Sequence, residues 1–224
     1  VLGIVGFPAG GILIVAALAA VVWSAAYGYT LEKVAYKPLR GAPRLSPLIS
    51  AIGMSIFLQN YVLLAQTSDY VPFPRLLPDM EFLDYLGNIM GPSDFLILVT
   101  STLAMVSLSL FIRYTRMGKA MRACSEDKAA AQLMGIDVNR TISMTFAIGS
   151  GLAAIAGVLL CSAYPTLMPT TGSLPGIKAF TAAVFGGIGS IPGAFLGGLL
   201  LGIIEALAKA YISTQLANSI VFAV

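Results

Sequence analysis

The sequence contains no histidine, only two cysteines and one tryptophan among its 224 residues. Histidine is the side chain that most often serves as a general base or a metal ligand. Because it is absent, and because the acids fall mainly in polar loops, no nucleophilic, metal or acid–base catalytic constellation can be drawn. Charged residues are also scarce, at 10% of the chain, whereas 58% are hydrophobic. That balance excludes an ordinary soluble domain and is typical of a polytopic membrane protein that is not an enzyme.

Long apolar segments dominate the chain. They lie near Gly10–Tyr29, Pro47–Gln66, Ser93–Ile112, Thr141–Ser162, Pro175–Ser190 and Ala194–Ile212, with a clipped seventh from about Ser219. The first four are each long enough to cross a hydrocarbon core of about 30 Å as a helix. The sequence therefore predicts an all-α polytopic fold with about six transmembrane helices and a partial seventh. We expect one transmembrane domain over residues 1–224 that is truncated at both ends, because Val1 begins inside an apolar run and Ser219–Val224 is too short to span.

The distribution of charge predicts the sidedness of the loops. The segments Thr30–Ser46 and Arg113–Arg140 together carry ten of the 13 Lys and Arg residues, whereas Thr67–Pro92 carries one base and four acids. Basic loops remain on the cytoplasmic side of a membrane. We therefore predict that the two basic loops are cytoplasmic, that Thr67–Pro92 and Ala163–Leu174 are periplasmic, and that the N-terminus is outside. The two cysteines, Cys124 and Cys161, then fall on opposite sides of the bilayer and should not pair.

The proline-rich loop Thr67–Pro92 has two interpretations. It is either a solvated, irregular connection, as most loops are, or a landing surface for an external protein. Composition alone leaves both open.

Small residues recur every four positions in the second half of the chain. They are Gly149, Ala153 and Gly157, then Gly189, Gly193 and Gly197, and finally Gly198 and Gly202. Such stripes let membrane helices approach closely, since lipid offers no hydrophobic drive for their association. The favoured interpretation is packing within one subunit. The alternative is contact between one stripe and the equivalent span of a second subunit.

The stretch Gly186–Gly193 interrupts an otherwise continuous apolar run. We expect Pro192 to break the helix there and the glycines to permit a tight reversal at the cytoplasmic face. No Gly-Lys-Ser/Thr ending follows, so nucleotide binding on this chain has no support. The preceding segment, from Pro175, has about 16 residues and spans roughly 24 Å. It is either a tilted helix or a half-helix under a proline-rich cap, and discontinuous helices in transporters tend to line the substrate route. The cap would consist of Tyr164, Pro165, Pro169 and Pro175.

Three ionisable side chains lie in the second half of the apolar region. Lys178 is near the outer end of its span, where a lysine can extend to the interface as an anchor. Glu205 is deeper and is therefore a candidate for the translocation path, together with Lys178. Lys209 follows Glu205 by one helical turn, so a self-contained ion pair is an equally good structural account.

The polar segment, Arg113–Arg140, has room for two short amphipathic helices. Its first part places Met117, Met121 and Cys124 on one side and is basic elsewhere, which suits the lipid headgroup layer. In its second part Ser125 is the predicted N-cap, Glu126 and Asp127 form the first turn, and Gly135 stops the helix. Three apolar side chains share one face of this helix, and we call them the ridge: Ala130, Leu133 and Met134.

Several stretches resemble the permeases of ABC importers for branched-chain amino acids, the LivH type. The longest is MRACSEDKAAAQLMGIDVNRTISMTFAIGSGLAAIAGVLL, at Met121–Leu160. The others are LEKVAYKPLR (Leu31–Arg40), LISAIGMSIFLQNYV (Leu48–Val62) and KAFTAAVFGGIGSIPGAFLGGLLLGIIEAL (Lys178–Leu207). The resemblance covers the chain from about Ala25 to Tyr211 and is weak in Val1–Ser24 and in the outer loop.

The resemblance implies a multi-pass pore subunit of the bacterial inner membrane that carries branched-chain amino acids. Ser125–Ile136 would be the coupling helix that fits a cleft on an ATPase. The implied partners are a second permease of the LivM type, two cytoplasmic ATPases that bind ATP and Mg²⁺, and a periplasmic amino-acid-binding protein. This chain would bind no cofactor, no metal and no nucleic acid. An ion-coupled secondary transporter is the alternative, and a channel or membrane scaffold comes third.

Overall fold

The computed structural model describes residues 9–39, 46–65, 71–72, 92–164 and 166–223, and most of these residues are helical. The helices are α1 (Ala9–Leu31), α2 (Ser46–Ala65), α3 (Pro92–Tyr114), α4 (Arg116–Glu126), α5 (Lys128–Leu133), α6 (Val138–Ala163), α7 (Ser173–Phe185), α8 (Ile191–Tyr211) and α9 (Ala217–Ala223). Two strands of two residues each, β1 (Val71–Pro72) and β2 (Thr166–Leu167), pair antiparallel. The all-α fold class is confirmed.

The predicted apolar segments coincide with helices to within three residues, except at the end of α7. That helix stops at Phe185 rather than Ser190, because Gly187 and Gly189 adopt left-handed backbone angles with φ of 93° and 100°. Among the described residues, four helical stretches are long and apolar enough to cross a membrane, namely Val15–Leu39, Asp94–Tyr114, α6 and α8. The membrane class predicted from composition is therefore supported.

Helical structure continues past the predicted end of the first span. A π-helical turn, Glu32–Tyr36, follows α1, and a 3-10 turn, Lys37–Leu39, follows that turn. The predicted boundary at Thr30 was therefore too early. Leu31–Tyr36 contains no glycine or proline to stop the helix, and Pro38 falls in the terminal 3-10 turn. The remainder of the predicted loop, residues 40–45, lies outside the described residues.

The described chain forms two compact units. The first contains α1, α2 and α4–α6, and the second contains α7–α9. Residues 105–110 of α3 group with the second unit and the rest of α3 with the first. In the first unit α1 packs lengthwise against α6. In the second unit Ala182, Leu201 and Val221 form the core between α7, α8 and α9.

The first unit brings the end of α1 to the beginning of α6 and pairs β1 with β2. The end of α1 lies beside the beginning of α6, since Tyr36 and Phe146 have ring centroids 4.8 Å apart. Strands β1 and β2, which belong to the two acidic or neutral loops, pair with each other.

The reversal between α7 and α8 lies where it was predicted, but the role assigned to Pro192 was wrong. Pro192 is in the first turn of α8, where a helix has no partner for the N–H that proline lacks. Ser190 caps that helix, because its hydroxyl accepts a hydrogen bond of 3.2 Å from the backbone N–H of Gly193. The proline therefore starts a helix rather than breaking one.

Many large apolar side chains remain exposed on the long helices. Trp23 on α1, Leu64 on α2 and Leu103 on α3 are each more than 60% exposed. A water-soluble monomer rarely shows such extended apolar surface, which suits contact with lipid.

Candidate coupling surface and ion triad

Helix α4 begins on a cap that fixes its angle to α3. The hydroxyl of Thr115 accepts a 3.0 Å hydrogen bond from the backbone N–H of Gly118. A Cβ on Gly118 would overlap the backbone of Ile112, so this corner requires glycine. On α4 Met117 and Met121 are half-buried and Cys124 is buried, as predicted. The basic residues of α4 are exposed and form a cationic outer face: Arg116, Lys119 and Arg122.

Asp127, rather than Ser125, is the N-cap of α5. The Asp127 Oδ1 accepts hydrogen bonds from the backbone N–H groups of Ala129 (2.7 Å) and Ala130 (3.1 Å). Ser125 is still inside α4, where its hydroxyl donates to the carbonyl oxygen of Arg122 at 2.7 Å. The predicted cap was wrong by two residues, and Glu126 closes α4 instead of opening α5. Aspartate and serine are about equally good N-cap residues, so the sequence alone could not show which of the two caps α5.

The side chains of the ridge are exposed, as predicted. Leu133 is 89% exposed and Met134 is 83% exposed, while Ala130 beside them is also exposed. Gly135 ends the helix with a left-handed φ of 81°, which confirms its predicted role. The chain then turns back, and the N–H of Ile136 donates a 3.0 Å hydrogen bond to the carbonyl of Ala131. Two turns of helix thus present three apolar side chains outward.

A small apolar cluster holds α5 onto the beginning of α6. Ala131, only 3% exposed, packs with Cys124 of α4 and Val138 of α6. Asp137 caps α6, because its Oδ1 accepts a 3.1 Å hydrogen bond from the N–H of Arg140. Both described cysteines are free thiols, as predicted. The ridge therefore stands on a short, capped scaffold that is tied to a membrane-spanning helix.

The interface between α1 and α6 is built from small and polar residues. A Cβ on Gly28 would overlap the side chain of Ser150 and lie 3.0 Å from the carbonyl oxygen of Phe146. The hydroxyl of Ser24 donates a 2.9 Å hydrogen bond to the carbonyl oxygen of Ser150. Gly151 is also close to α1, since a Cβ on it would lie 3.4 Å from the side chain of Val21.

The α6 stripe predicted to be a packing surface does not form this interface. A Cβ on Gly149 or Gly157 would meet no heavy atom within 4 Å, and Ala153 is exposed. The contacts lie one and two positions after Gly149, on Ser150 and Gly151. The choice between packing within the subunit and contact with a second subunit stays open for that stripe.

The small residues of α8 behave in two ways. A Cβ on Gly197 would lie 2.5 Å from the carbonyl oxygen of Ala182, and Gly193 is in backbone contact with Gly186. Gly198 makes only a loose contact with Ala182, and Gly202 meets nothing within 4 Å. Packing within the subunit is thus confirmed for Gly193 and Gly197, whereas Gly189 lies in the turn with a left-handed φ.

Lys178, Glu205 and Lys209 form a cluster that we call the ion triad. The Oε1 atom of Glu205 forms two ion pairs. It lies 2.8 Å from Nζ of Lys178 on α7 and 2.6 Å from Nζ of Lys209 on α8. The predicted pair of Glu205 with Lys209 is confirmed. The interpretation of Lys178 as an interfacial anchor was wrong, because its ammonium group reaches across to Glu205. Sharing one oxygen between two lysines compensates charges that would otherwise be costly in a membrane.

The described residues show no clustering that suits a metal ion. In the described ranges no three His, Cys, Asp or Glu side chains come close enough to share one.

Comparison with known proteins identifies the family. The family described as "Branched-chain amino acid transport system / permease component" matches residues 7–224. The chain belongs to this family. The permease therefore belongs to the membrane-spanning transport class rather than to the catalytic subunits, and the resemblance drawn from its motifs is confirmed.

Individual relatives support the assignment. The high-affinity branched-chain amino acid transport system permease protein LivH of Escherichia coli K12 is 49% identical over 222 residues, covering 97% of this permease and 72% of the relative. The protein BraD of Pseudomonas aeruginosa is 48% identical over 225 residues, covering 99% and 73%. The fructose import permease FrcC of Rhizobium meliloti is 26% identical over 169 residues, covering 71% and 47%. No solved structure matches the permease.

Proposed function

We propose that this chain is the pore-forming subunit of an ABC importer that carries leucine, isoleucine and valine across the bacterial inner membrane. The near 50% identity to LivH and BraD over almost the whole chain supports this substrate class. In our proposal residues 1–224 act as one transmembrane permease domain of about six spans and a partial seventh, with the N-terminus outside. Energy comes from ATP and Mg²⁺ bound on separate ATPase subunits.

The observation that carries the proposal is the exposed ridge. Three apolar side chains at the end of a rigid, capped helix have little reason to face water unless a partner covers them. The buried Ala131 beneath them fixes the helix to α6, so force on the ridge reaches a membrane span. We infer that the ridge inserts into a groove on an ATPase subunit, and that closure of the ATPases moves α6.

The similarity to LivH and BraD supports a proposal for the other subunits. We propose a second, LivM-type permease as the partner within the membrane, two ATPases on the cytoplasmic side and a periplasmic amino-acid-binding protein that delivers the substrate. The basic face of α4 lies at the headgroup layer, where anionic lipids attract arginine and lysine.

The ion triad argues against the ion-coupled alternative. A secondary transporter needs an acidic group in the membrane that can take up and release a cation. Glu205 lies between two lysines, and their positive charges oppose the entry of another cation. We therefore propose a structural role for the triad, with Lys178 and Glu205 joining α7 to α8.

Replacement of Ala130 by tryptophan tests the function. A bulky ring at a close contact should overpack the groove at a cost of about 1–3 kcal/mol. Gln132→Trp is the matched control, because Gln132 is exposed and lies about 160° around the helix from Ala130. Both variants should insert into the membrane normally. Co-purification of the ATPases and uptake of labelled leucine are then measured.

We expect Ala130→Trp to lose bound ATPase or to hydrolyse ATP without uptake, while Gln132→Trp retains both activities. Full uptake by Ala130→Trp with its ATPases bound would contradict the assignment of the ridge. Uptake that is independent of ATP would contradict the importer class as a whole.

A further inference from the structure

Glu32 is an ionisable residue that the transport mechanism outlined above leaves without a role. Its side chain is fully buried, at 0% exposed, and it opens the π-helical turn at the end of α1. The hydroxyl of the buried Ser143 on α6 donates a hydrogen bond to Oε2 of Glu32. A buried carboxyl group is unfavourable unless it is held by such partners, and π-helical turns occur frequently at functional sites. The position therefore calls for a reason beyond packing.

Ser143 lies on the path from the ridge into the membrane. The ridge stands on Ala131, which packs against Val138, the first residue of α6. Ser143 follows Val138 by five residues, about one and a half helical turns. A second contact lies one turn further on, where the ring of Phe146 meets Tyr36 of the same π-helical turn. If α5 moves and displaces the beginning of α6, the π-helical turn is therefore the first segment after α1 to be displaced with it.

We propose that Glu32 and Ser143 form a latch that transmits movement of the ridge to α1. Glu32 is a positioning residue: it makes the beginning of α6 and the end of α1 move as one body when the ATPases close. Without the hydrogen bond the end of α1 follows the beginning of α6 less closely, so ATP hydrolysis continues but opens the pathway less often. The latch rests on the proposed function, since it requires ATPases docked on the ridge.

The latch differs from a purely structural hydrogen bond in what it predicts. A structural bond supports folding, so its loss lowers the amount of protein and all activities together. A latch supports the coupling between two events, so its loss changes the number of ATP molecules hydrolysed per amino acid transported. That ratio does not depend on how much folded protein is present.

The test uses the complete transporter in proteoliposomes, with the binding protein and labelled leucine. Ser143→Ala removes the donor, and Ser143→Thr keeps a hydroxyl as the conservative rescue. Ser162→Ala is the matched control, because Ser162 lies on the same helix and its hydroxyl donates locally to the carbonyl of Val158 at 2.9 Å. Should Ser143→Ala reduce the yield of folded protein, Ser143→Cys replaces it, since a thiol is close in size and a weak donor.

We expect Ser143→Ala to raise the ratio of ATP hydrolysed to leucine transported about fivefold or more, the lower end of coupling between linked sites. Ser143→Thr and Ser162→Ala should keep the wild-type ratio. Glu32→Ala combined with Ser143→Ala should be no worse than Glu32→Ala alone, because the first change already removes the carboxyl group that Ser143 contacts.

The latch would be overturned if Ser143→Ala kept the wild-type ratio of ATP hydrolysed to leucine transported. It would also be overturned if the effects of Glu32→Ala and Ser143→Ala on that ratio multiplied in the double variant. ATPase co-purification separates this outcome from failure of the proposed function. If the ATPases bind and hydrolyse ATP while the ratio is unchanged, only the latch is wrong. If the wild-type permease binds no ATPase, the proposed function fails first.

Discussion

The hydroxyl of Ser143 donates a hydrogen bond to the carboxyl group of Glu32, a residue 111 positions earlier in the chain. This bond and the one from Ser24 to the carbonyl of Ser150 fix α1 and α6 in antiparallel register. Two hydrogen bonds between helices hold alignment where lipid supplies no hydrophobic drive. The register in turn places the polar segment beside the end of α1.

Glycine at position 28 is required by this register. We expect Gly28→Ala to lower the free energy of unfolding by about 1–3 kcal/mol, because the new methyl group overlaps Ser150 and approaches the backbone at Phe146. Gly149→Ala is the control, since a Cβ there meets open space. Its stability should be unchanged or slightly higher, because alanine favours a helix. Thermal unfolding in detergent measures both variants, and equal losses would show that the close contact at Gly28 is absent.

The cap of α5 gives a second prediction. Asp127→Ala should remove about 1 kcal/mol of helix stabilisation, since two backbone N–H groups lose their acceptor. Ser125→Ala should have little effect, because its hydroxyl serves a carbonyl within α4. Hydrogen exchange of the amides of Ala129 and Ala130 is the measurement. If these amides exchange faster in Ser125→Ala than in Asp127→Ala, Ser125 rather than Asp127 is the N-cap of α5.

The ion triad predicts an order of stability among variants. Glu205→Gln leaves two ammonium groups without their shared carboxylate. Because the three side chains are partly exposed, the loss of stability should be smaller than the order of 3–5 kcal/mol that breaking a fully buried pair costs. Lys178→Met should lower the stability less, because the carboxylate of Glu205 still pairs with Nζ of Lys209 at 2.6 Å. The combination of Lys178→Met with Glu205→Gln should be more stable than Glu205→Gln alone.

The yield of folded protein from membranes and its unfolding temperature report this order. A double variant that is less stable than Glu205→Gln would show that Lys178 and Glu205 act independently, despite their contact.

Sidedness gives the fourth prediction. Cysteine is placed at Lys128 or at Thr166, both exposed, in a background with Cys124 and Cys161 replaced by alanine. If the charge pattern sets the orientation, a membrane-impermeant thiol reagent applied to intact spheroplasts will label the cysteine at 166 and not the one at 128. In inside-out vesicles the reagent should label the cysteine at 128 and not the one at 166. The opposite pattern would invert the topology while leaving the fold unchanged.

The spans and the outward face of α5 could be predicted from the sequence because each depends on local properties. A span is a run of apolar residues long enough for the bilayer, and a short helix has one face set by its period. The ridge was found in this way, since Ala130, Leu133 and Met134 share a face whatever the helix packs against.

The packing face of α6 could not be predicted, because small residues occur on every side of that helix. Gly149 and Gly157 follow the spacing rule as well as Ala147 and Gly151 do, and only the position of α1 distinguishes them. The pairing of Lys178 with Glu205 was missed for the same reason, since it joins two helices. The residues that do meet across the interface, Ser150 with Gly28 and Gly151 with Val21, have no sequence signal that sets them apart from the predicted stripe.

The burial of Glu32 was also hidden, because its neighbours in the sequence indicate a solvated basic loop. Only the π-helical turn carries its side chain inward to Ser143.

The exposure of Met134 has a chemical consequence. An oxidant that reaches its sulfur converts it to the sulfoxide, a polar group that would weaken an apolar contact. In a permease that awaits its partner subunits, the sulfur is open to water, since 83% of the residue is exposed. Once a partner covers the ridge, the same atom is shielded. Assembly would therefore protect the permease against oxidative damage at Met134, and an unassembled copy would depend on sulfoxide reductases for its repair.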